Sequence, residues 1–190
     1  TGDKQSIAQL VRQAYYDTPG AALGMPEFTV ELYPDRGSQR VVEIVLTYPQ
    51  EPETLRRKSA ELSDAARAAL IPMSTQQFSQ GRRVELLLEQ LPEIIRWNDA
   101  PYEDGARRCT AWDALVGEGA DHEGLALALQ LLCSQLELEC TVTEGTLDGS
   151  PHFWNTLILN GEEFQVDLTL EEYKVLRSGV ELAQMGYDWD

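Results

Sequence analysis

The stretch that decides the fold is Thr110–Gly145, which reads TAWDALVGEGADHEGLALALQLLCSQLELECTVTEG. Within it, residues 125–132 are apolar except at Gln130. A helix with this composition has almost no polar face, so it is expected to be buried rather than to lie on the surface. We therefore predict that the rest of the domain packs around this helix.

A histidine is expected in the first turn of the buried helix. Gly117 and Gly119 indicate a loop that ends just before it. Asp121 and Glu123 are acidic residues that complement the positive end of a helix dipole, which places the start of the helix between them. His122 stands at that start.

The same stretch resembles the transglutaminase-like superfamily, whose papain-like fold has a nucleophilic cysteine at the start of a buried helix. The family pattern is similar to TAYxALVxGxAxCEGYAxAxxxLL, followed by a strand that begins near IxC. This sequence follows the pattern without a gap at residues 110–112, 114–116, 122–126 and 138–140. One position departs from it, because His122 stands where the family has its cysteine.

A second family motif, similar to HAWNxVxxxGxWYxVDxTW, is also matched without a gap. The matching residues are 152–155, Gly161, Phe164, 166–167 and Thr169. The resemblance covers about the last half of the chain, and two motifs in the right order are more specific than either alone. It implies a bacterial protein in which His152 and Asp167 occupy the positions of the catalytic base and its orienting carboxylate.

The residues support the pairing of His152 with Asp167 independently. Asn160–Gly161 separates two alternating apolar runs, which is a strong hairpin signal. If these two residues form the turn, facing positions have numbers that add up to 321. Asp167 then lies near Trp154 and diagonal to His152, where a carboxylate can orient an imidazole.

The three cysteines do not replace the missing nucleophile in any obvious way. Cys109, Cys133 and Cys140 lack the spacing of a zinc finger or a disulfide framework. Cys133 is predicted to lie about 16 Å along the helix from His122, too far to react there. Cys133 and Cys140 are expected to be buried, and Cys109 remains a candidate thiol.

The composition limits the classes of partner. A net charge of -17 on 190 residues argues against nucleic acid and anionic membranes. No stretch approaches the roughly 20 apolar residues of a membrane span. We expect an extracytoplasmic or secreted protein whose signal segment has been trimmed, and the sequence does not indicate an oligomeric state.

The first half of the chain is predicted to be a scaffold. The periodicity predicts a helix over residues 4–16, a hairpin of strands 28–33 and 41–48 around the turn 34–38, a helix over 52–70, and a helix that begins with a Ser74/Gln77 capping box and ends near Arg96. The predicted fold is α+β, with residues 1–96 as the scaffold and 97–190 as the transglutaminase-like core, and the two are expected to form one compact unit. In the core, the buried helix packs against an antiparallel sheet.

The absence of the family's cysteine favours a catalytically inactive module that binds a peptide or protein, or acts as a scaffold. His122, His152 and Asp167 are the triad-equivalent positions. Trp112, Trp154 and Asn155 are the candidate binding residues, and for Trp154 and Asn155 a purely structural role in the core is the other interpretation.

An enzyme with altered chemistry is the alternative. A hydrolase or acyl transferase would have to use a histidine or Cys109 in place of the missing thiol. No cofactor is expected in the inactive interpretation. In a metal-dependent variant, His122 and His152 would bind zinc with one carboxylate, either Asp167 or a neighbour of His122 (Asp121 or Glu123).

Overall fold

The computed structural model describes residues 2–34, 40–73 and 77–190, and it has mixed α+β architecture. The turn predicted at 34–38 and the cap predicted at Ser74 fall largely outside these residues. The elements in chain order are α1 (Gly2–Tyr16), β1 (Glu27–Pro34), β2 (Arg40–Thr47), α2 (Pro52–Leu70), a 3-10 turn (Ile71–Met73), α3 (Gln80–Ile94), α4 (Ala111–Leu115), α5 (His122–Gln135), β3 (Glu139–Leu147), β4 (Ser150–Leu159), β5 (Glu162–Val166), α6 (Gly179–Gln184) and β6 (Tyr187–Asp188).

The predicted buried helix is confirmed as α5. All residues from Glu123 to Cys133 are buried, including Gln130. The helix packs against β3 and β4 on one side, and buried residues of α2 and α3 belong to the same hydrophobic cluster. Because this cluster takes side chains from both halves of the chain, the scaffold and the predicted core share their interior.

The helix that follows the 3-10 turn begins later than predicted. It starts at Gln80, where the hydroxyl of Ser79 accepts a hydrogen bond from the Arg82 amide at 3.2 Å. Residues 77–79 are not helical, so the predicted first turn at Gln77 was wrong, and Ser74 itself lies outside the described residues. Ser79 therefore satisfies one of the first-turn amides of α3. The helix ends at Ile94, two residues before the predicted Arg96.

The strands form two antiparallel sheets among the described residues: β1 pairs with β2, and the larger sheet has the order β5-β4-β3-β6. The hairpin predicted at Asn160–Gly161 is confirmed, since Leu159 pairs with Glu162 and Asn155 with Val166. Both turn residues have positive φ, 51° and 82°, as a type I′ turn requires.

The C-terminal residues fold back over the domain. β6 pairs with β3, which places the Tyr187 side chain in the interior with 3% exposure. Tyr187, Trp154 and Leu182 form a second cluster of buried side chains, with Trp189 packed at its margin. In the part of the chain that is described, no helix is both long and apolar enough to cross a membrane.

Candidate functional site

The start of α5 is capped by its own sequence. Asp121 has extended backbone dihedrals, and its Oδ1 accepts hydrogen bonds from the amides of Glu123 at 3.0 Å and Gly124 at 3.2 Å. Its other oxygen, Oδ2, lies 2.7 Å from the Arg107 guanidinium, which also contacts Glu123 at 3.1 Å. The carboxylate of Asp121 therefore uses two of the amide donors that a helix N-terminus otherwise offers to an anionic group.

A glycine lets the first turn of α5 approach the preceding segment closely. A Cβ at Gly124 would lie 2.6 Å from the Ala120 Cβ and 2.8 Å from the Thr110 carbonyl oxygen. Both distances are shorter than a van der Waals contact, so a larger residue would push the turn away from the segment. Gly124 thereby fixes the position of His122, two residues earlier.

The predicted pair of His152 and Asp167 forms at the end of the larger sheet. Nε2 of His152 lies 2.7 Å from Oδ2 of Asp167, and the two side chains are 11% and 1% exposed. The hairpin register explains this contact, because β4 and β5 bring the ends of both strands together next to α5. In a neutral His152, Nε2 carries the proton donated to the carboxylate, which leaves Nδ1 as the acceptor nitrogen.

Asp167 has further hydrogen-bond donors around it. The hydroxyl of Tyr187 donates to Oδ2, and the amide and hydroxyl of Thr169 donate to Oδ1 at 2.9 and 2.8 Å. Burial by itself raises the pKa of Asp167, but the hydrogen bonds from His152, Tyr187 and Thr169 outweigh it and hold the pKa below its ordinary value. Asp167 is therefore ionised at neutral pH and keeps His152 in one orientation.

His122 lies beside this pair and is half-buried. Its ring is 4.7 Å from the His152 ring, centroid to centroid, and 5.7 Å from the Phe153 ring. Its Nδ1 accepts a hydrogen bond from the Phe153 amide at 3.2 Å. An accepting Nδ1 carries no proton, so the neutral ring has its proton on Nε2. Within the residues that the structure describes, Nε2 has no hydrogen-bond partner.

The environment of His122 favours this neutral form. Burial lowers its pKa, the neighbouring Asp121 carboxylate opposes that effect, and the charge of a protonated His152 lowers the pKa again. The net result is a pKa below the ordinary value of histidine, as expected for a partly desolvated imidazole beside a second one. His122 thus presents an N–H donor, whereas a nucleophile needs a free electron pair.

Two of the three cysteines, Cys109 and Cys133, have thiols whose pKa is raised. Burial, together with the nearby Glu123 and Asp121 carboxylates, raises the pKa of the Cys109 thiol to about 12. Cys133 and Cys140 are buried, as predicted. The contact with Cys140, followed by burial, holds the pKa of Cys133 well above its ordinary value. A thiol with a raised pKa is protonated at neutral pH and is a poor nucleophile.

The candidate binding residues divide into two groups. Trp154 and Asn155 are each 1% exposed: the Trp154 indole donates to Gln165 Oε1 at 2.8 Å, and the Asn155 amide donates to the Ala126 carbonyl oxygen at 2.8 Å. These contacts support the structural interpretation of both residues. Trp112 is only partly buried and lines a cleft between α2 and residues 101–110.

The other carboxylates proposed for a metal site have different contacts. Asp121 caps α5, and Glu123 accepts a hydrogen bond from the Tyr16 hydroxyl at 2.8 Å. Across residues 2–34, 40–73 and 77–190, no three His, Cys, Asp or Glu side chains are grouped so that they could hold a metal ion. The zinc alternative at His122, His152 and Asp167 stays an untested prediction, and the geometry does not favour it.

Sequence reasoning missed two contributors to the site. Tyr187 was not among the predicted site residues, although its hydroxyl donates to Asp167. The Phe153 amide, which fixes the His122 ring, is a backbone group and leaves no trace in the sequence. The alternation of side chains along β4 does predict one feature of the site. His152 and Trp154 share one face of the strand, and the Phe153 side chain lies on the other.

No protein-family model matches this chain, and none of the curated proteins matches it. The solved structures that match include a crystal structure of a TGase, with a TM-score of 0.45 and 12% sequence identity over 96% of this chain. The match covers 54% of that chain, so this chain spans about half its length. At this identity the similarity concerns the fold alone and says nothing of activity.

Proposed function

We propose that this chain is a transglutaminase-like domain with a papain-like core that has lost its nucleophile and acts as a binding or scaffold module for a peptide or protein. The two sequence motifs support the family, and the contact between His152 and Asp167 is the one that a papain-like base and its orienting carboxylate would make. In this proposal His122 stands at the former cysteine position.

The hydrogen bond from the Phe153 amide to Nδ1 of His122 is the observation that carries the proposal. This hydrogen bond uses the electron pair of Nδ1, and the proton of the neutral ring is on Nε2. Acyl transfer by a covalent route requires a nucleophile with a free electron pair within reach of a base. His122 in this tautomer has no such pair, and Cys109 holds its proton at neutral pH.

One alternative is favoured by a specific observation. The His152–Asp167 pair remains ordered, and a neutral His152 has an accepting Nδ1. Such an imidazole can in principle remove a proton from water, so a hydrolase that uses His152 as general base is the second candidate. This reaction needs no thiol and would persist after His122 is replaced.

Release of ammonia from a glutamine-containing peptide, with and without an added amine, tests the proposal. We expect no release above the buffer rate with the wild-type protein. We expect measurable release with His122→Cys, and its loss in the double variant His122→Cys/His152→Gln. Wild-type release that disappears in His152→Gln would contradict the proposal and favour the general-base hydrolase.

A further inference from the structure

The cleft between the start of α2 and the segment of residues 101–110 has properties of a binding site. Its volume is about 1190 Å³, large enough for several peptide residues. Arg107 and Cys109 are among its lining residues, and Arg107 also contacts Asp121 at the cap of α5. The cleft therefore adjoins the His122 site without including the His122, His152 or Asp167 side chains.

Two cations in this cleft lack the carboxylate partner that their surroundings would lead one to expect. The chain has 32 acidic and 15 basic residues, so carboxylates are plentiful. Several cations do form ion pairs, including Arg57 and Arg107 in the same cleft. Within the described residues, Lys58 and Arg108 have no carboxylate within 4.0 Å.

Each of these two cations lies instead over an aromatic ring. The Lys58 ammonium is 4.3 Å from the centre of the Trp112 ring, and the Arg108 guanidinium is 3.9 Å from that of Tyr102. Such contacts hold a cation in place but leave hydrogen-bond donors free. Preorganised donors of this kind bind a carboxylate with little further loss of side-chain entropy.

The rings that hold the cations are themselves fixed. The Trp112 indole donates to Glu61 at 2.8 Å, and the Tyr102 hydroxyl donates to Asp113. The Arg108 Nε donates to the Ala100 carbonyl oxygen at 2.8 Å, which leaves the rest of its guanidinium for another acceptor. The aromatic rings that contact the two cations are thus held in place by hydrogen bonds of their own.

Two buried polar atoms of cleft-lining residues have no hydrogen-bond partner within the part of the chain that the structure describes. They are Nη1 of Arg108, a donor, and Oε1 of Gln50, an acceptor, and both residues line the cleft. A buried polar group without a hydrogen-bond partner destabilises the folded state. A peptide carries both kinds of group, because its carbonyl or carboxylate oxygens accept hydrogen bonds and its amides donate them.

We propose that this cleft binds a peptide through a carboxylate, which contacts Lys58 and Arg108, while the peptide backbone contacts Gln50. The inference rests on the proposed binding function but not on the inactivity of the His122 site. The carboxylate can be the C-terminus of the peptide or an acidic side chain. Apolar residues such as Met25 and Pro101 provide the remaining contact surface of the cleft.

Calorimetric titration with three peptides tests the assignment: acetyl-Ala-Leu-Ala with a free C-terminal carboxylate, the same peptide with a C-terminal amide, and acetyl-Glu-Leu-Ala amide. We expect binding of the first or the third peptide and at least about tenfold weaker binding of the neutral second one. Binding of the first alone identifies a C-terminal site, and binding of the third identifies a side-chain site.

The variant Lys58→Gln removes one of the two cations, and Arg56→Gln is its matched control. Arg56 lies on the same helix, has no carboxylate partner among the described residues, and faces a different pocket. We expect Lys58→Gln to weaken carboxylate binding by about tenfold and Arg56→Gln by less than about twofold. Arg108→Gln should act like Lys58→Gln, provided that its thermal unfolding is unchanged.

Three results would overturn the assignment: equal binding of the neutral and acidic peptides, equal weakening by Lys58→Gln and Arg56→Gln, or no binding of any peptide up to roughly 10 mM. Each of them leaves the ammonia-release experiment unaffected. Failure of the cleft assignment and failure of the proposed inactivity are therefore distinguishable.

Discussion

The imidazole ring of His122 lies 4.7 Å from that of His152, with 33° between the ring planes. One of these rings is oriented by Asp167 and the other by the Phe153 amide. Burial and the nearby His152 both lower the pKa of the His122 ring. The pair therefore combines an intact orienting contact with a neighbour whose Nδ1 electron pair accepts a hydrogen bond.

The lowered pKa of His122 predicts a pH dependence of stability. Burial is the main cause of the shift, opposed by Asp121 and reinforced by His152. In the unfolded chain a histidine has a pKa of about 6.5, so the unfolded state takes up this proton first as the pH falls. The stabilising contribution is therefore complete above about pH 6.5 and is lost as the pH falls through the folded-state pKa.

Urea unfolding of the wild type and of His122→Gln at pH 8 and pH 5 measures this effect. Glutamine can still accept the Phe153 amide hydrogen bond but does not titrate. We expect the free energy of unfolding to fall more in the wild type than in the variant between the two pH values. Equal losses in both proteins would show that His122 keeps an ordinary pKa.

Removal of the carboxylate of Asp167 should destabilise the protein. Asp167 is buried and accepts hydrogen bonds from His152, Tyr187 and Thr169. We expect Asp167→Asn to lower the free energy of unfolding at pH 7 by about 2–4 kcal/mol, and Tyr187→Phe to lower it by about 1–2 kcal/mol. Chemical denaturation of both variants measures whether Asp167→Asn lowers the free energy of unfolding more than Tyr187→Phe does.

The pKa of Asp167 is lowered in the folded protein, so its contribution is present above the unfolded pKa of about 3.9 and is lost as the pH falls through the lower folded value. The difference between the wild type and Asp167→Asn should therefore shrink below about pH 4. A difference that stays constant down to pH 2 would contradict the ionised, hydrogen-bonded state.

A thiol introduced by His122→Cys should be more reactive than the natural cysteines. It would lie at the first turn of α5 and beside His152, and both features favour a thiolate. Cys109, whose pKa is raised to about 12, is the internal reference. We expect iodoacetamide at pH 7 to modify the new thiol at least about tenfold faster than Cys109, as measured by peptide mass spectrometry.

The double variant His122→Cys/His152→Gln is the control for this reactivity. If His152 activates the thiol, alkylation slows in the double variant while that of Cys109 is unchanged. A new thiol that reacts no faster than Cys109 would mean that the start of α5 no longer has the environment of a nucleophile.

Zinc should not stabilise the protein through this site. Nδ1 of His122 already accepts the Phe153 amide, and both oxygens of Asp167 accept hydrogen bonds. Thermal unfolding of metal-stripped protein with and without zinc measures this, since an ion that binds only the folded state raises the melting temperature. A rise in the wild type that is absent in His122→Ala would establish the metal alternative instead.

Much of the predicted core rests on patterns that the chain carries locally. Residues 125–132 are almost uniformly apolar, and such a helix can only be buried. Asn160–Gly161 sets the register of its hairpin through turn geometry alone, and the contact between His152 and Asp167 follows from that register.

Features that depend on distant contacts escaped prediction. Tyr187 reaches Asp167 only because β6 pairs with β3, and a two-residue strand has no recognisable period. The cap at Ser79 competed with an equally plausible cap at Ser74, and local sequence does not rank two serines. The cleft cations Lys58 and Arg108 are far apart in sequence, so their shared lack of carboxylate partners is visible only in three dimensions.

The tautomer of the His122 ring tests most directly whether this residue lacks a free electron pair for nucleophilic attack. Long-range nitrogen–proton NMR correlation of the ring at pH 7.5 distinguishes a protonated from an unprotonated ring nitrogen. We expect an unprotonated Nδ1 and a protonated Nε2, as the hydrogen bond from the Phe153 amide requires. A protonated Nδ1 with an unprotonated Nε2 would contradict it, because His122 would then present a free electron pair beside His152.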